Sequence, residues 1–135
     1  MNSLTRFAAI DGDDVGVMLR SRIIYNDIDG ISSLSAAILR YFNFLSEILQ
    51  QKGYSIVFCG GDSLLALCSD PIDNEVFSGL PEGPCTISVG IGDTAENAYL
   101  ALQLAKARGK NQVVELRHTL AETIYKWDRP DGQMS

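Results

Sequence analysis

The chain is poor in positive charge and has no long apolar run. Its 11 Lys and Arg residues are outnumbered by 17 Asp and Glu residues, which gives a formal net charge of −6. A protein that holds a nucleic-acid backbone needs a basic face, so we expect no direct DNA binding. No apolar stretch reaches the ~18 residues of a membrane-spanning helix, and no membrane insertion is expected. Residues 1–6 contain no apolar signal core, which favours a cytoplasmic protein.

The few cysteines and the single histidine indicate neither a disulfide framework nor a zinc site. Cys59, Cys68 and Cys85 lack C-x-x-C spacing and lie in apolar runs, which is typical of reduced, buried thiols. His118 has no cysteine or second histidine near it in sequence, so it is a poor zinc ligand. We interpret it as a surface or capping residue at the start of a helix.

Apolar residues are plentiful, at 46% of 135 residues, and this content is enough for one globular domain. We expect that domain to span residues 1–127, with a frayed tail over 128–135. Strand patterns alternate with helix patterns, which predicts an α+β fold of the ferredoxin-like type, a mixed, mainly antiparallel sheet with helices packed on it. The predicted strands cover 4–10, 54–59, 63–68, 85–91 and 112–116. The predicted helices cover 15–25, a long segment from Ser32 or Ser33 to Gly53, a short helix or loop at 70–77, a segment from Asp93 or Thr94 to Gly109, and 119–127.

Two acidic turns contain the candidate metal-binding carboxylates. The sequence DGDD at residues 11–14 follows the first strand, and GGDS at residues 60–63 connects the two strands of a hairpin. The first strand lies beside the hairpin in a ferredoxin-like sheet, so the two turns should meet. Carboxylates on adjacent strand ends can share divalent cations, and the glycines leave room for a nucleotide. Either turn alone could equally be a helix cap or a plain hairpin.

A basic segment, AKARGKN at residues 105–111, ends the last long helix. Its three cations could simply complement the negative end of the helix dipole. They could also contact the phosphates of a nucleoside triphosphate. The segment by itself does not separate these interpretations.

Together these segments resemble the nucleotidyl-cyclase palm superfamily, which includes GGDEF diguanylate cyclases and the palm of type III CRISPR effectors. GGDS at 60–63 stands where that superfamily has GG[DE]EF or GGDD, SVGIG at 88–92 resembles its S-[IV]-G-[IV] strand, and residues 105–111 resemble A-K-x-x-G-[RK]-N. Within the superfamily the chain most resembles the minimal CRISPR polymerase family of stand-alone palms, through AIDGDDVG at 9–16 and its single short hairpin.

The resemblance implies a nucleotidyltransferase that makes cyclic di- or oligonucleotide signals from nucleoside triphosphates, ATP foremost, in antiphage defence. It implies two Mg²⁺ or Mn²⁺ ions per site and attack of a 3′ or 2′ hydroxyl on an α-phosphate. A separate effector, which can be membrane-bound, would read the product. One palm offers one nucleotide site and the reaction joins two substrates, so we expect a homodimer.

The resemblance also assigns roles to residues. Asp11 and Asp62 correspond to the catalytic metal ligands, and the Gly12 carbonyl completes a metal shell. Asp13 and Asp14 are additional acids, of which one could bind metal and the other cap the helix. The positions expected against the nucleotide are Gly12, Gly60, Gly61, Ser63, Lys106 and Lys110.

Two departures from the superfamily pattern keep alternatives open. Ser63 stands where related hairpins have an acid, and a hydroxyl is a poorer Mg²⁺ ligand than a carboxylate. Three alternatives follow: Asp13 or Asp14 supplies the missing negative charge, the second metal ion relies on substrate phosphates, or the activity is weak. The segment 30–35 lacks the acid that reads guanine in GGDEF enzymes, and Asn26-Asp27 is displaced, which favours adenine or a relaxed choice of base. The other candidates are a catalytically weak or inactive nucleotide-binding palm and a hydrolase similar to GTP cyclohydrolase III.

Overall fold

The protein is described here by a computed structural model, which covers residues 5–69, 75–118 and 123–128, with side chains in 5–69 and 75–116. The described residues form six strands and four helices. The strands are β1 (Arg6–Gly12), β2 (Ser55–Gly60), β3 (Ser63–Cys68), β4 (Ile87–Gly92), β5 (Val113–His118) and β6 (Thr123–Asp128). The helices are α1 (Val15–Ile24), α2 (Ile28–Gln51), α3 (Glu75–Ser78) and α4 (Ala95–Ala107). None of these helices is both long and apolar enough to cross a bilayer.

The strands form one sheet in the order β2-β3-β1-β4-β5-β6. Only β4 and β5 pair in parallel, and the other neighbours are antiparallel. The central strand β1 is largely buried because its middle residues, Ala8, Ala9 and Ile10, are apolar. The predicted α+β, ferredoxin-like architecture with a central first strand is therefore confirmed.

The register of β1 brings the two acidic turns together. Asp11 lies opposite Ser63 on β3 and opposite Ser88 on β4. One residue further, the Gly12 amide donates a 2.9 Å hydrogen bond to the Asp62 carbonyl. The carboxyl-terminal end of β1 and the β2–β3 turn thus form one edge of the sheet.

The helices cover both faces of the sheet. One face of α2 packs on the main core through an apolar stripe at helical spacing, consisting of Leu34, Ile38, Tyr41, Phe42, Leu45 and Leu49. On the opposite face, α4 lies directly on β4, because a Cβ at Gly90 would come within 2.2 Å of the Leu102 amide nitrogen. This close contact fixes the end of α4, and with it Lys106, over the end of β1.

The structure corrects the predicted start of the long helix. It begins at Ile28 rather than at Ser32 or Ser33, so residues 28–30 are helical and not loop. The Asp27 side chain caps it by accepting a 2.9 Å hydrogen bond from the Gly30 amide. The composition of residues 26–30 is typical of a loop, and it does not indicate that Asp27 caps a helix through Gly30.

The predicted helix over 119–127 is wrong, because residues 123–128 form strand β6. The sequence TIYKWD is rich in β-branched and aromatic residues, which favour a strand, and it pairs along the whole of β5. His118 consequently ends a strand rather than starting a helix. The first strand begins at Arg6 and runs to Gly12, two residues beyond its predicted end, and Asp128, predicted in the tail, ends β6. Residues 1–4, 70–74, 119–122 and 129–135 lie outside the described part, so the expectations that fall on them stay predictions.

Candidate functional site

Asp11 has both carboxylate oxygens engaged at the end of β1. Ser63 on the neighbouring strand donates a hydrogen bond from its Oγ to Asp11 Oδ1 at 2.6 Å. Lys106 Nζ lies 3.2 Å from Asp11 Oδ2. The carboxylate remains partly exposed, with 27% of its side chain accessible, so a ligand at the edge of the sheet can still reach it.

Asp62 lies against Gly12, the residue after Asp11, because no side chain separates the two turns. A Cβ at Gly12 would lie 3.3 Å from Asp62 Cβ and 2.9 Å from Val15 Cγ2, so only glycine fits this close approach. Asp62 is partly exposed, and no group in residues 5–69 and 75–116 forms a hydrogen bond or ion pair with its carboxylate. Its carboxylate, at the same edge of the sheet as that of Asp11, is thus available as an oxygen ligand for an added cation.

The hairpin leaves open space next to Asp62. Gly61 has φ +59°, a left-handed conformation that glycine adopts without strain, and nothing lies within 4 Å of the position a Cβ would take. The ring of Phe58 lies 3.4 Å from the corresponding position at Gly60. The predicted nucleotide-contacting glycines therefore border the same edge as the two acids.

Lys106 points at the carboxylates and not only towards solvent. Its Nζ contacts the Gly12 carbonyl at 3.3 Å and Asp13 Oδ1 at 3.4 Å, in addition to Asp11. Burial by itself lowers the pKa of Lys106, but Asp11 and Asp13 together outweigh it and hold the pKa above its usual value. The ammonium group is therefore a firmly charged counterion for the end of β1.

Asp13 is buried and fully engaged, with 3% of its surface exposed. Its Oδ1 accepts a 2.6 Å hydrogen bond from Ser88, and its Oδ2 accepts bonds from Thr86 at 2.7 Å and from the Asn111 amide at 3.0 Å. These partners leave no free lone pair aimed at the exposed edge. Of the alternatives that the sequence leaves open, metal binding by Asp13 is the one this geometry disfavours.

Asp14 and Lys110 form an exposed ion pair at the rim. Asp14 occupies the N-cap position of α1, but its φ is +59° and its side chain makes no capping hydrogen bond. Instead it pairs with Lys110, whose φ is +67°. More than a third of each side chain is exposed, so this pair contributes little to stability and leaves Lys110 able to reorient.

The donor set at this edge fits a hard divalent cation. The described residues contain no group of three or more His, Cys, Asp or Glu side chains that could hold a metal ion alone. Mg²⁺, however, typically uses one or two protein carboxylates and takes its remaining oxygens from water and substrate phosphates. The Asp11 and Asp62 carboxylates and the Gly12 carbonyl provide oxygens of this kind.

The sequence predicted every member of this edge but not the partners of Asp13. Ser88 lies in the SVGIG motif at 88–92, and Asn111 lies in the AKARGKN motif at 105–111. The sequence therefore marked both residues as members of motifs but did not show that they bind Asp13. Thr86 lies outside all of the recognisable motifs, so nothing in the sequence indicates its contact with Asp13, 73 residues away.

Comparisons with known proteins agree with the fold. A family description, minimal CRISPR polymerase domain, matches residues 7–116. No curated protein matches. The Csm1-Csm4 cassette in complex with cA4 has a TM-score of 0.64 and 19% identity, covering 83% of this chain and 21% of that chain. The same cassette in complex with one ATP gives the same values. The GGDEF domain of DgcB from Caulobacter crescentus in complex with c-di-GMP has a TM-score of 0.57 and 14% identity, covering 82% of this chain and 77% of that chain.

These likenesses establish two things. The structural similarity shows a palm fold shared with GGDEF domains, while the chain spans only about a fifth of the Csm1-Csm4 chains that it matches. The family match extends from β1 to β5, which includes both acidic turns and the basic helix end. The chain belongs to the minimal CRISPR polymerase family.

Proposed function

We propose that this protein is a nucleotidyltransferase that makes cyclic di- or oligonucleotide signals from nucleoside triphosphates, with ATP as the main substrate, in antiviral defence. The observation that carries the proposal is the register of β1, which places Asp11, the Gly12 carbonyl and Asp62 at one edge. Similar palms have been solved with cA4, with ATP and with c-di-GMP, which supports nucleotides as the ligand class.

Asp11, Asp62 and the Gly12 carbonyl would hold Mg²⁺ or Mn²⁺ together with the substrate phosphates. Two such ions in a phosphoryl-transfer site polarise the attacking hydroxyl and stabilise the leaving oxygen. Ser63 supports this set by holding Asp11 in one orientation through its hydrogen bond. The hydroxyl adds no charge, so the protein part of the site carries one acid fewer than hairpins with GGDE or GGDD.

Lys106 and Lys110 supply the positive charge that a triphosphate requires beyond the metal ions. Lys106 already lies against the end of β1, where it can contact phosphate oxygens with a small change of rotamer. Lys110 can leave its exposed partner Asp14 at little cost. Gly61 and the open space beside it leave room for the nucleotide to approach the backbone.

The reaction joins two nucleotides, so we infer that the active species is a homodimer. One chain has one set of strand-end acids, and a two-fold axis presents each hydroxyl to the other α-phosphate. The edge strand β2 carries Val57 and Phe58, which are 54% and 53% exposed and precede the turn that holds Asp62. A second copy that covers this strand would bury apolar surface and bring the two sites together.

A weak or inactive nucleotide-binding palm is the second candidate. The specific observation in its favour is Ser63, because neither Asp13 nor Asp14 replaces the missing acid while each keeps the partners described above. A hydrolase similar to GTP cyclohydrolase III would use the same edge. The leading proposal also includes a separate effector that binds the cyclic product. It further includes a cytoplasmic location for the protein.

Product analysis separates these functions. The protein is incubated with each nucleoside triphosphate and with their mixture, in Mg²⁺ or Mn²⁺, and the products are identified by mass spectrometry with a parallel assay for pyrophosphate. The proposal requires pyrophosphate and a cyclic species, strongest with ATP. Nucleotide binding without pyrophosphate would indicate an inactive palm, and a ring-opened base would indicate a hydrolase.

A further inference from the structure

Asp13 connects three separate parts of the fold through one buried carboxylate. Thr86 and Ser88 bind it from the start of β4, the Asn111 amide binds it from the turn before β5, and Lys106 approaches it from α4. Each oxygen of Asp13 accepts from two groups. Burying a carboxylate is unfavourable unless it is fully paired, so this arrangement is retained only with all of its partners in place.

The turn that Asp13 holds has an unusual backbone. Gly109, Lys110 and Asn111 have φ angles of +117°, +67° and +51°, three consecutive residues in the left-handed region. This region is strained for residues with a side chain, and the strain persists only where the surroundings impose it. The hydrogen bond from the Asn111 amide to Asp13 Oδ2 is one such constraint, and Gln112 supplies another by donating to the carbonyls of Arg108 and Lys110 at 3.1 Å each.

The constraint matters because of what the turn carries. We define residues 106–111 as the cationic segment, which begins at Lys106 and includes Lys110. Lys106 Nζ lies between Asp11 Oδ2 and Asp13 Oδ1, so Asp13 limits where that ammonium group can move. The backbone of Lys106 is held in α4, whereas the turn that follows has positive φ angles at Gly109, Lys110 and Asn111 and is held relative to β1 by the hydrogen bond from Asn111 to Asp13.

We propose that Asp13 is a positioning residue that fixes the cationic segment against the end of β1, so that Lys106 and Lys110 are preorganised to receive the phosphates of the nucleotide. Asp13 does not touch the reacting atoms and acts through its partners. The consequence for nucleotide binding rests on the function proposed above, whereas the anchoring of the turn does not.

Amide hydrogen exchange measured by NMR tests the anchoring without any nucleotide. In Asp13→Ala we expect the Asn111 amide to exchange at least about tenfold faster, because its acceptor is gone. The matched control is Glu96→Ala, which removes an exposed acid in the first turn of α4, at the other end of that helix from the cationic segment, and it should leave this rate within about twofold. If Asp13→Ala does not fold, Asp13→Leu, which is similar in size and likewise offers no acceptor to the Asn111 amide, serves in its place, with circular dichroism as the check on folding. Unchanged protection of Asn111 in a folded Asp13 variant would overturn the anchoring.

A double-mutant cycle on ATP affinity tests the consequence. Asp13→Asn and Lys106→Ala should each weaken ATP binding about tenfold, and the double variant should be weakened by clearly less than the product of the two effects, because part of the effect of Asp13 runs through Lys106 and the rest through Lys110. Effects that multiply in the double variant would show that Asp13 has no positioning role towards Lys106. If the wild-type protein binds no ATP, the proposed function fails while the exchange of Asn111 still decides the anchoring.

Discussion

Ser63 Oγ donates a 2.6 Å hydrogen bond to Asp11 Oδ1 across the β1–β3 pair. The residue that departs most clearly from the acidic hairpin pattern is therefore a direct partner of the first-strand acid. A serine at this position orients the carboxylate without repelling it, whereas an acid would repel it.

The first prediction concerns this hydrogen bond. Ser63→Ala should lower kcat/KM by about tenfold or more, because a hydrogen bond to a charged group is worth ~1.5–3 kcal/mol. Ser63→Thr keeps the hydroxyl and is the matched control, expected to retain most activity. Ser63→Asp places a carboxylate against Asp11, so its Tm should fall without metal and recover in part with Mg²⁺. Equal activity of the alanine and wild-type proteins would show that the contact has no role in the reaction.

The second prediction separates the two lysines. Lys106→Ala removes the cation beside buried Asp13 and should lower the free energy of unfolding by about 1–3 kcal/mol, while Lys110→Ala should cost less than about 1 kcal/mol. Both should raise KM for the nucleotide more than they lower kcat, if the phosphate contacts are equal in the ground and transition states. Steady-state kinetics and urea unfolding measure the two effects. A Lys110→Ala protein with unaltered KM would leave that residue only its ion pair with Asp14.

The third prediction concerns the homodimer. Specific activity should fall on dilution as dimers dissociate, and Phe58→Ser should move that fall to higher protein concentration. Leu39→Ser is the matched control, because Leu39 is 50% exposed on α2 rather than on the β2 edge. Activity is measured beside the oligomeric state at each concentration. Constant specific activity in a demonstrably monomeric sample would rule out a mechanism that needs two chains.

The fourth prediction concerns pH. Burial, with Asp13 next in effect, raises the pKa of the Cys85 thiol from 9.0 to about 11. The folded state therefore holds the thiol proton more tightly than the unfolded chain does. This contribution to stability is complete below about pH 9 and is lost as the pH rises towards about 11.

Urea unfolding at several pH values between about 8 and 11 measures this effect. The wild-type protein should lose stability over this range more steeply than Cys85→Ala, which has no thiol to titrate at that position. Parallel curves for the two proteins would show that Cys85 titrates normally in the folded state.

The sequence was sufficient for five of the six strands in the described residues and for the two acidic turns at the edge of the sheet. Apolar runs predicted β1 to β3, alternation with β-branched residues predicted β4, and the ferredoxin-like order predicted that the turn with Asp11 and the turn with Asp62 approach each other. The start of α2 was missed because a side-chain cap at Asp27 converts a loop-like composition into a helical turn. Strand β6 was missed because its pairing with β5, rather than its local pattern, defines it.

The role of Asp13 could not be read from the sequence for a different reason. Its partners lie 73 to 98 residues further along the chain, and its neighbours Gly12 and Asp14 look equally suited to a metal site. Only the folded structure shows that Asp13 is buried while Asp11 remains accessible. Burial and not residue type distinguishes Asp13 from Asp11 and Asp62, the acids that we propose to bind metal.

The measurement that tests the account most directly is pyrophosphate release by Asp62→Asn beside the wild-type protein, with Mg²⁺ and ATP. The amide keeps the shape of the side chain but removes the charge that would hold the ion. We expect Asp62→Asn to fold normally and to lose pyrophosphate release, while Glu47→Gln, an exposed acid on α2, retains the wild-type rate. An Asp62→Asn protein that releases pyrophosphate as fast as the wild type would contradict the assignment of this edge as the catalytic site.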